Sequence, residues 1–570
     1  MKLIIRQYLA SLKERGELDA IVPDLLSELG LTVLSRPRRG TRQDGVDVAA
    51  VGSLDGEAEK VFLFSIKAGD LTRASWDGES LQALRPSLNE ILDAYIPNRL
   101  PDEHKGKEIV ICLCFGGELR EQVRPQVEGY IKSHTKGNIA FQEWNGDKLA
   151  SLIESGFLRE ELMPEGIRPS LRKSLALLDE PEASYRHFSS LIRTLSAMEG
   201  KDDKEKVTAI RRIHLCLWIL FAWGRGGGNV ESAYLSSEIA LLHGWEIAKG
   251  FWGEKTKSAE SIRLTFSSIL SVYHRIGFYY LEKKILPHVR KRHALSFAAV
   301  LYPAPSLDVN LKLFDVLGRL AMRGIWLYWR LAGLSDEETE LKERLEKETQ
   351  HHMAAIMDLI HSNPALLLPI EDEQAIELCL ALLLLALDAN NTQYIEGWLS
   401  EMADRADFSL QVQGKYPCNI GSYSDLLNHP KREEKYLEEN TAGSILYPVI
   451  ALWAGLLGDE ALYEKVRSIE EQHLQHCNFQ YWYPDQTSEA HFYRNDDAHG
   501  ATLSHLRIEE PPGKFLEQLF GECDNTPAFH ELSAVKAGLW PLVLVACRHY
   551  RLPVPLHLLQ GFRQTEEDRK

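Results

Sequence analysis

The hydrophobic period of this chain changes once. Residues 1 to about 165 alternate helix-type and strand-type signals, whereas nearly everything after Pro164 repeats apolar residues at helical spacing. A chain with that split builds an α/β layer first and an all-α body second. Its 570 residues also demand more than one core, because single cores rarely grow beyond about 250–300 residues. The pattern predicts one domain over 1–165 and a helical region over 166–570, divisible near 405–440.

Within the first part, Leu18 to Leu29 places apolar residues at 18, 21, 22, 25, 26 and 29, an amphipathic helix that Gly30 stops. Strand-type runs follow at Leu31 to Leu34, Val46 to Val51 and Val61 to Ile66, punctuated by Gly40, Asp44-Gly45 and Gly56. Ile109 to Phe115 is almost wholly apolar and suits a strand covered on both faces. Helical spacing marks 80–94, 119–133 and 147–154, and Ile139 to Trp144 reads as the last strand. The expected class is an α/β sandwich: a mixed sheet flanked by helices.

Beyond about Ser170, long helical patterns recur at 185–198, 207–223, 258–273, 311–331, 336–361, 373–388 and 442–473. No strict repeat period emerges, so a stacked solenoid and an irregular bundle both stay open. The stretch from Asn478 to Pro512 is polar and poorly periodic and reads as a long loop.

Charge sets a condition on function. The chain carries 65 Lys plus Arg against 82 Asp plus Glu, a net charge of −17, so any nucleic-acid contact must come from a local patch. Residues 1–164 hold 21 basic against 26 acidic side chains, and most of the excess acid lies in the helical part. Eight scattered cysteines without a Cys-x-x-Cys pair predict reduced thiols. The N-terminal apolar run breaks at Arg6, unlike a secretory signal, and the greasiest stretches, 215–223 and 378–387, are shorter than the roughly 20 residues of a membrane span. The expectation is a cytoplasmic protein that does not engage membrane.

Chemistry concentrates between Leu18 and Lys67. Metal-dependent phosphodiester hydrolysis needs carboxylates to hold the cation and a positive side chain beside the attacking water and the phosphate. Asp47 sits in a short strand just past a turn, and Ser65 and Lys67 share one face at the end of the next strand. Asp19 lies on the preceding helix. Asp44 reads as the turn residue of Asp-Gly. Arg36, Arg38, Arg39 and Arg42 cluster in the loop leading to Asp47 and are the expected DNA phosphate contacts. Lys105 and Lys107 would extend that patch, although a solvated loop explains them as well.

This order of helix, acidic hairpin and x-x-Lys (Leu18 to Gly30, Asp44 to Val48, Phe64 to Lys67) resembles the PD-(D/E)xK, or restriction-endonuclease-like, nuclease superfamily, most closely its Mrr-like branch. The resemblance covers the first 165 residues. It implies Asp19 as the helix-borne acid, Asp47 as the central metal ligand and Lys67 as the catalytic lysine, with Mg²⁺ or Mn²⁺ as cofactor. Ser65 departs from the pattern, standing where the family has Glu, Asp or Gln, and a hydroxyl is a weaker ligand than a carboxylate. The implied protein is an endonuclease hydrolysing DNA rather than RNA, an effector of bacterial anti-phage or restriction-type defence, with a helical region that senses, regulates or assembles through a protein partner or a second copy. The alternative is a nuclease fold that has lost catalysis and serves as a scaffold.

Other motifs weigh less. Arg494 and His499 match an Arg-x4-His spacing resembling HEPN ribonucleases, but in sequence unlike a helix. His473, His476 and Cys477, with His491 and His505 nearby, lack the second half of a zinc site. Glu254 breaks the Gly-Lys adjacency that a phosphate loop at 250–256 requires.

Overall fold

The computed structural model describes residues 2–12, 14, 18–35, 43–54, 57–78, 83–156, 167–197, 200–295, 306–335, 337–433, 435–494, 500–503 and 506–562. The chain forms two compact units, Met1–Ile276 and Gly277–Lys570.

Unit 1 opens with helices α1 (Lys2–Ser11) and α2 (Asp19–Glu28), followed by strands β1 (Thr32–Ser35), β2 (Val48–Gly52) and β3 (Lys60–Lys67). Gly30 ends the α2 turn at φ +89°. Helices α3 (Arg73–Asp77) and α4 (Leu84–Glu90), strand β4 (Ile109–Phe115), helix α5 (Arg124–His134), strand β5 (Ile139–Trp144) and helix α6 (Gly146–Gly156) complete the α/β layer. The strands form one mixed sheet in the order β1-β2-β3-β4-β5. The first three are antiparallel neighbours, and β4 and β5 run parallel to β3. β4 is buried along its whole length, as its continuous Ile/Val/Leu/Cys run requires of a strand covered on both faces.

One face of the sheet packs Val61, Leu63, Ile111 and Leu113 against Trp76, Leu84, Leu88, Val123 and Val127 of α3 to α5. The opposite face carries Phe64, whose ring meets Trp144 edge-on at 4.9 Å. The Asp44-Gly45 turn presses against α4: a Cβ at Gly45 would collide with the Ser87 carbonyl, and Gly45 sits at φ +80°. Asp44 itself takes φ 46° and pairs with Arg99 Nε at 2.6 Å, the turn role expected of it.

Helices α7 (Ile167–Ala176), α8 (Pro181–Ser196), α9 (Asp203–Gly226), α10 (Glu231–Ala248) and α11 (Lys257–Tyr280) follow. An Asp202 and Glu205 capping box starts α9. Among the described residues α9 is the one helix long and apolar enough to cross a membrane, and 89% of its apolar window is buried inside the protein, as a core helix is. Within unit 1, His214 of α9 stands 3.7 Å from the buried Asp24 carboxylate of α2.

Unit 2 is almost wholly helical. Its main helices are α12 (Ser306–Ala332), α13 (Thr339–Ser362), α14 (Ala375–Leu385), α15 (Thr392–Gln411), α16 (Leu446–Leu457), α17 (Glu460–His473), α18 (Pro512–Asn525) and α19 (Pro541–Tyr550). The expected single helix over 442–473 is therefore two. Gly458, at φ +76°, terminates α16, and Asp459 caps α17 by accepting from the Leu462 amide at 2.9 Å. The expected loop over 478–512 holds short paired strands, Asn478–Phe479 with Gly443–Ser444 and Trp482–Tyr483 with Ala501–Thr502. All eight cysteines are unpaired and buried.

Candidate active site at the ends of β2 and β3

The β2/β3 ladder ends at the pair Val48 and Phe64. The next position on each strand sets Asp47 opposite Ser65, with Lys67 two residues further along β3. The Asp47 amide donates to the Phe64 carbonyl at 2.8 Å, and its Oδ2 accepts from the Ile66 amide at 2.7 Å. The backbone thus fixes the Asp47 carboxylate through Oδ2.

Burial pushes the Asp47 carboxyl up to about 6. The Ile66 amide and the Lys67 charge pull it down, whereas the charges of Glu14 and Asp19 push it up. Three acids and one lysine therefore act on one another here. Lys67, the last residue of β3, is only 7% exposed, and its Nζ lies 3.4 Å from Glu14 Oε1, a loose pairing for a charge-assisted bond. Ser65 is fully buried and among the described residues its Oγ has no hydrogen-bond partner, although buried hydroxyls nearly always find one.

The structure thus brings together Asp47, Ser65 and Lys67, with Asp19 at the first position of α2 within electrostatic range. It adds Glu14, which sequence reasoning missed. Glu14 lies in a charged stretch, Lys13 to Glu17, that carries no local signal beyond polarity; only the fold shows that it meets Lys67. Arg36, Arg38, Arg39 and Arg42 lie outside the described residues. Lys105 and Lys107 are tied to Asp102 and Glu59, each at 2.7 Å, which accounts for both without a ligand.

Carboxylates suit a hard divalent cation, yet among the described residues no three His, Cys, Asp or Glu side chains stand close enough to cage one. Elsewhere, Arg494 is exposed, and His499 and His505 lie outside the described residues. His473 pairs with Asp407 at 3.1 Å and His476 with Thr441 at 2.8 Å, while burial pushes the Cys477 thiol up to about 12. These groups are engaged in holding the end of α17. Unit 2 has a cleft of about 540 Å³ between Phe278 and α13. Its Arg344 and Glu348 pair with each other at 2.9 Å.

Comparison with known proteins gives no matching family model, no matching curated protein and no matching solved structure.

Proposed function

We propose that unit 1 carries a metal-dependent endonuclease of restriction-endonuclease-like fold, using Mg²⁺ or Mn²⁺ to hydrolyse phosphodiesters of DNA. The observation that carries this reading is the convergence of Asp47, Ser65, Lys67 and Glu14 at one strand end. The mixed sheet supports it, with three antiparallel strands preceded by a helix and a fourth strand parallel to the third.

The residues fit Mg²⁺. That cation is usually held by one or two carboxylates together with waters and substrate phosphate rather than by an all-protein cage. Asp47 with Glu14 or Asp19 supplies such a set, and the Ser65 Oγ, buried without a partner, is a neutral oxygen beside it. When bound, the cation would neutralise charge on the phosphoryl group and acidify a bound water.

Asp47 performs the holding role only when ionised, and the Ile66 amide orients it. Lys67 donates its charge to the phosphoryl oxygens or orients the attacking water. Glu14, 3.4 Å from the lysine Nζ, aims it.

A plasmid-cleavage assay tests the reading. Wild type should cut in Mg²⁺ or Mn²⁺, and Lys67→Ala and Asp47→Asn should each lose at least about 100-fold in rate, the size typical of removing one group that stabilises transition-state charge. Wild-type protein that cleaves with neither metal would sink it. The second reading, a nuclease fold without catalysis, is favoured by Ser65 standing where a carboxylate is expected. It predicts DNA binding without cleavage.

A further inference from the structure

Three residues beyond Lys67 lies a cleft of about 300 Å³ at the carboxyl ends of β3, β4 and β5, where Arg6, Asp70, Glu118 and Arg120 surround the Gly116-Gly117 backbone. Carboxyl ends of parallel strands are where open α/β sheets receive ligands. We infer that this cleft is a second phosphate subsite, in which Arg6 and Arg120 grip the backbone of duplex DNA next to the scissile phosphodiester. The inference rests on the nuclease reading and names where its substrate is held.

The cations are already in place, each occupied by an acid. Arg120 Nη2 donates to Asp70 Oδ2 at 2.5 Å, and Arg6 pairs with Glu118. Arg6 Nε also lies 3.6 Å from Asp147 Oδ1. One member of each pair is exposed, Arg120 at 61% and Glu118 at 63%, and the other is part-exposed, Asp70 at 30% and Arg6 at 35%. Exposed ion pairs of this kind contribute little to stability and exchange readily. A phosphodiester likewise offers two non-bridging oxygens to a guanidinium fork. Asp70 and Glu118 therefore stand in for phosphate until substrate arrives.

Two chain segments are shared by both sites. The N-terminal segment supplies Arg6 to the cleft and Glu14 to Lys67, and β3 with its continuation supplies Lys67 and then Asp70. Helix α1 is seated directly on the strand ends, since a Cβ at Gly116 would run into the Leu9 carbonyl. The Gly117 amide donates to the Gly69 carbonyl at 2.8 Å and the Glu118 amide to Asp70 Oδ1 at 2.8 Å. The subsite is thus fixed relative to the lysine by backbone, not by the long side chains that would contact DNA.

The test is binding of an end-labelled DNA duplex to the full chain by fluorescence anisotropy in EDTA, as a function of salt. Each phosphate contact contributes about 0.9 to the slope of log K against log salt. The double variant Arg6→Ala/Arg120→Ala should lower the wild-type slope by about 1.8 and weaken binding at least tenfold. Asp70→Asn keeps the acceptor for the Glu118 amide while removing the competing charge, so it should tighten binding several-fold. If wild type binds and cleaves but the double variant binds equally, or Asp70→Asn binds more weakly, the subsite is wrong and the nuclease reading stands. Wild type that neither binds nor cleaves overturns both.

Discussion

Two half-buried carboxylates, one in each unit, make a controlled contrast. In unit 2, Asp315 accepts from Arg319 at 2.8 Å and from Arg548 at 2.9 Å, with Lys312 at 3.6 Å. Desolvation alone would raise it, but the three cations outweigh that and hold it well below the usual carboxylate range. In unit 1, Asp47 has one lysine in range, two competing acids and an unpartnered serine opposite it, and burial lifts it to about 6. The first arrangement is saturated and has no capacity left for a ligand. The second is short of positive charge, a deficit that a divalent cation would correct.

A raised carboxyl alone does not mark a site. Asp372 of unit 2 is also lifted to about 6 by burial, yet it accepts from Ser444 Oγ at 2.5 Å and from the Ile445 and Leu446 amides at 2.8 and 3.4 Å, capping α16. Its hydrogen bonds are accounted for. What separates Asp47 is the combination of a raised carboxyl with Lys67, Glu14 and the buried Ser65 hydroxyl.

The contrast is broken most directly by stability. Asp315→Asn leaves Arg319, 1% exposed, and Arg548, 6% exposed, short of their counter-charge. It should cost about 3–5 kcal/mol, the usual consequence of removing one partner of a buried ion pair. Lys67→Met should shift the thermal midpoint little, because its partner Glu14 is 28% accessible and can be hydrated. Functional sites commonly sacrifice stability in this way. Thermal denaturation of both variants decides: an Asp315→Asn protein as stable as wild type, or a Lys67→Met protein that unfolds, would erase the distinction between a structural cluster and a poised one.

A pH series sharpens it. An unfolded Asp titrates near pH 3.9, whereas folded Asp47 titrates at about 6, so between these values the folded chain binds more protons and stability falls as pH rises. Above pH 6 the ionised group opposes folding by something on the order of 2–3 kcal/mol. Asp47→Asn should therefore gain stability over wild type at about pH 8 and gain none at about pH 4. Cleavage should run the opposite way, dropping toward acid pH along a one-proton limb, at a position that moves lower as Mg²⁺ rises, because proton and cation compete for the Asp47 carboxylate. A rate that stays flat toward acid pH would show that Asp47 is not the group being titrated.

Much of the site's frame was legible before any coordinates. Ile109–Phe115 and Ile139–Trp144 are strands over the residues that the apolar runs predict, since a run bounded by Gly and polar residues leaves little choice of register. The Asp44-Gly45 turn and the shared face of Ser65 and Lys67 were readable for the same local reason, whereas Asp47, expected within a strand, stands one residue before β2. Helix α1 was not: among its described side chains Ile5 and Leu9 are buried, with Leu12 just beyond its end, a stripe too short to stand out by its period. Helix α10 escaped because it is buried nearly all round, which removes the periodicity that reveals a surface helix. Glu14 and the Arg6/Arg120 cleft depend on how α1 seats on the sheet, a tertiary fact with no short-range sequence counterpart.

The smallest expected effect is the most discriminating. A ligand that binds only the folded state stabilises it by RT ln(1 + [L]/Kd), about 1.4 kcal/mol when Mg²⁺ is present at ten times its Kd. Such a stabilisation should raise the thermal midpoint of wild type by a few degrees. Asp47→Asn should lose the shift, since the amide is neutral and a poor ligand for a hard cation. Asp372→Asn, which also removes a carboxyl lifted to about 6, should keep the Mg²⁺ shift, because Asp372 is already saturated by Ser444 and two backbone amides. Equal loss of the shift in both variants would mean that the cation responds to general charge rather than to the Asp47 site. Persistence of the shift in Asp47→Asn would place the metal elsewhere in the molecule.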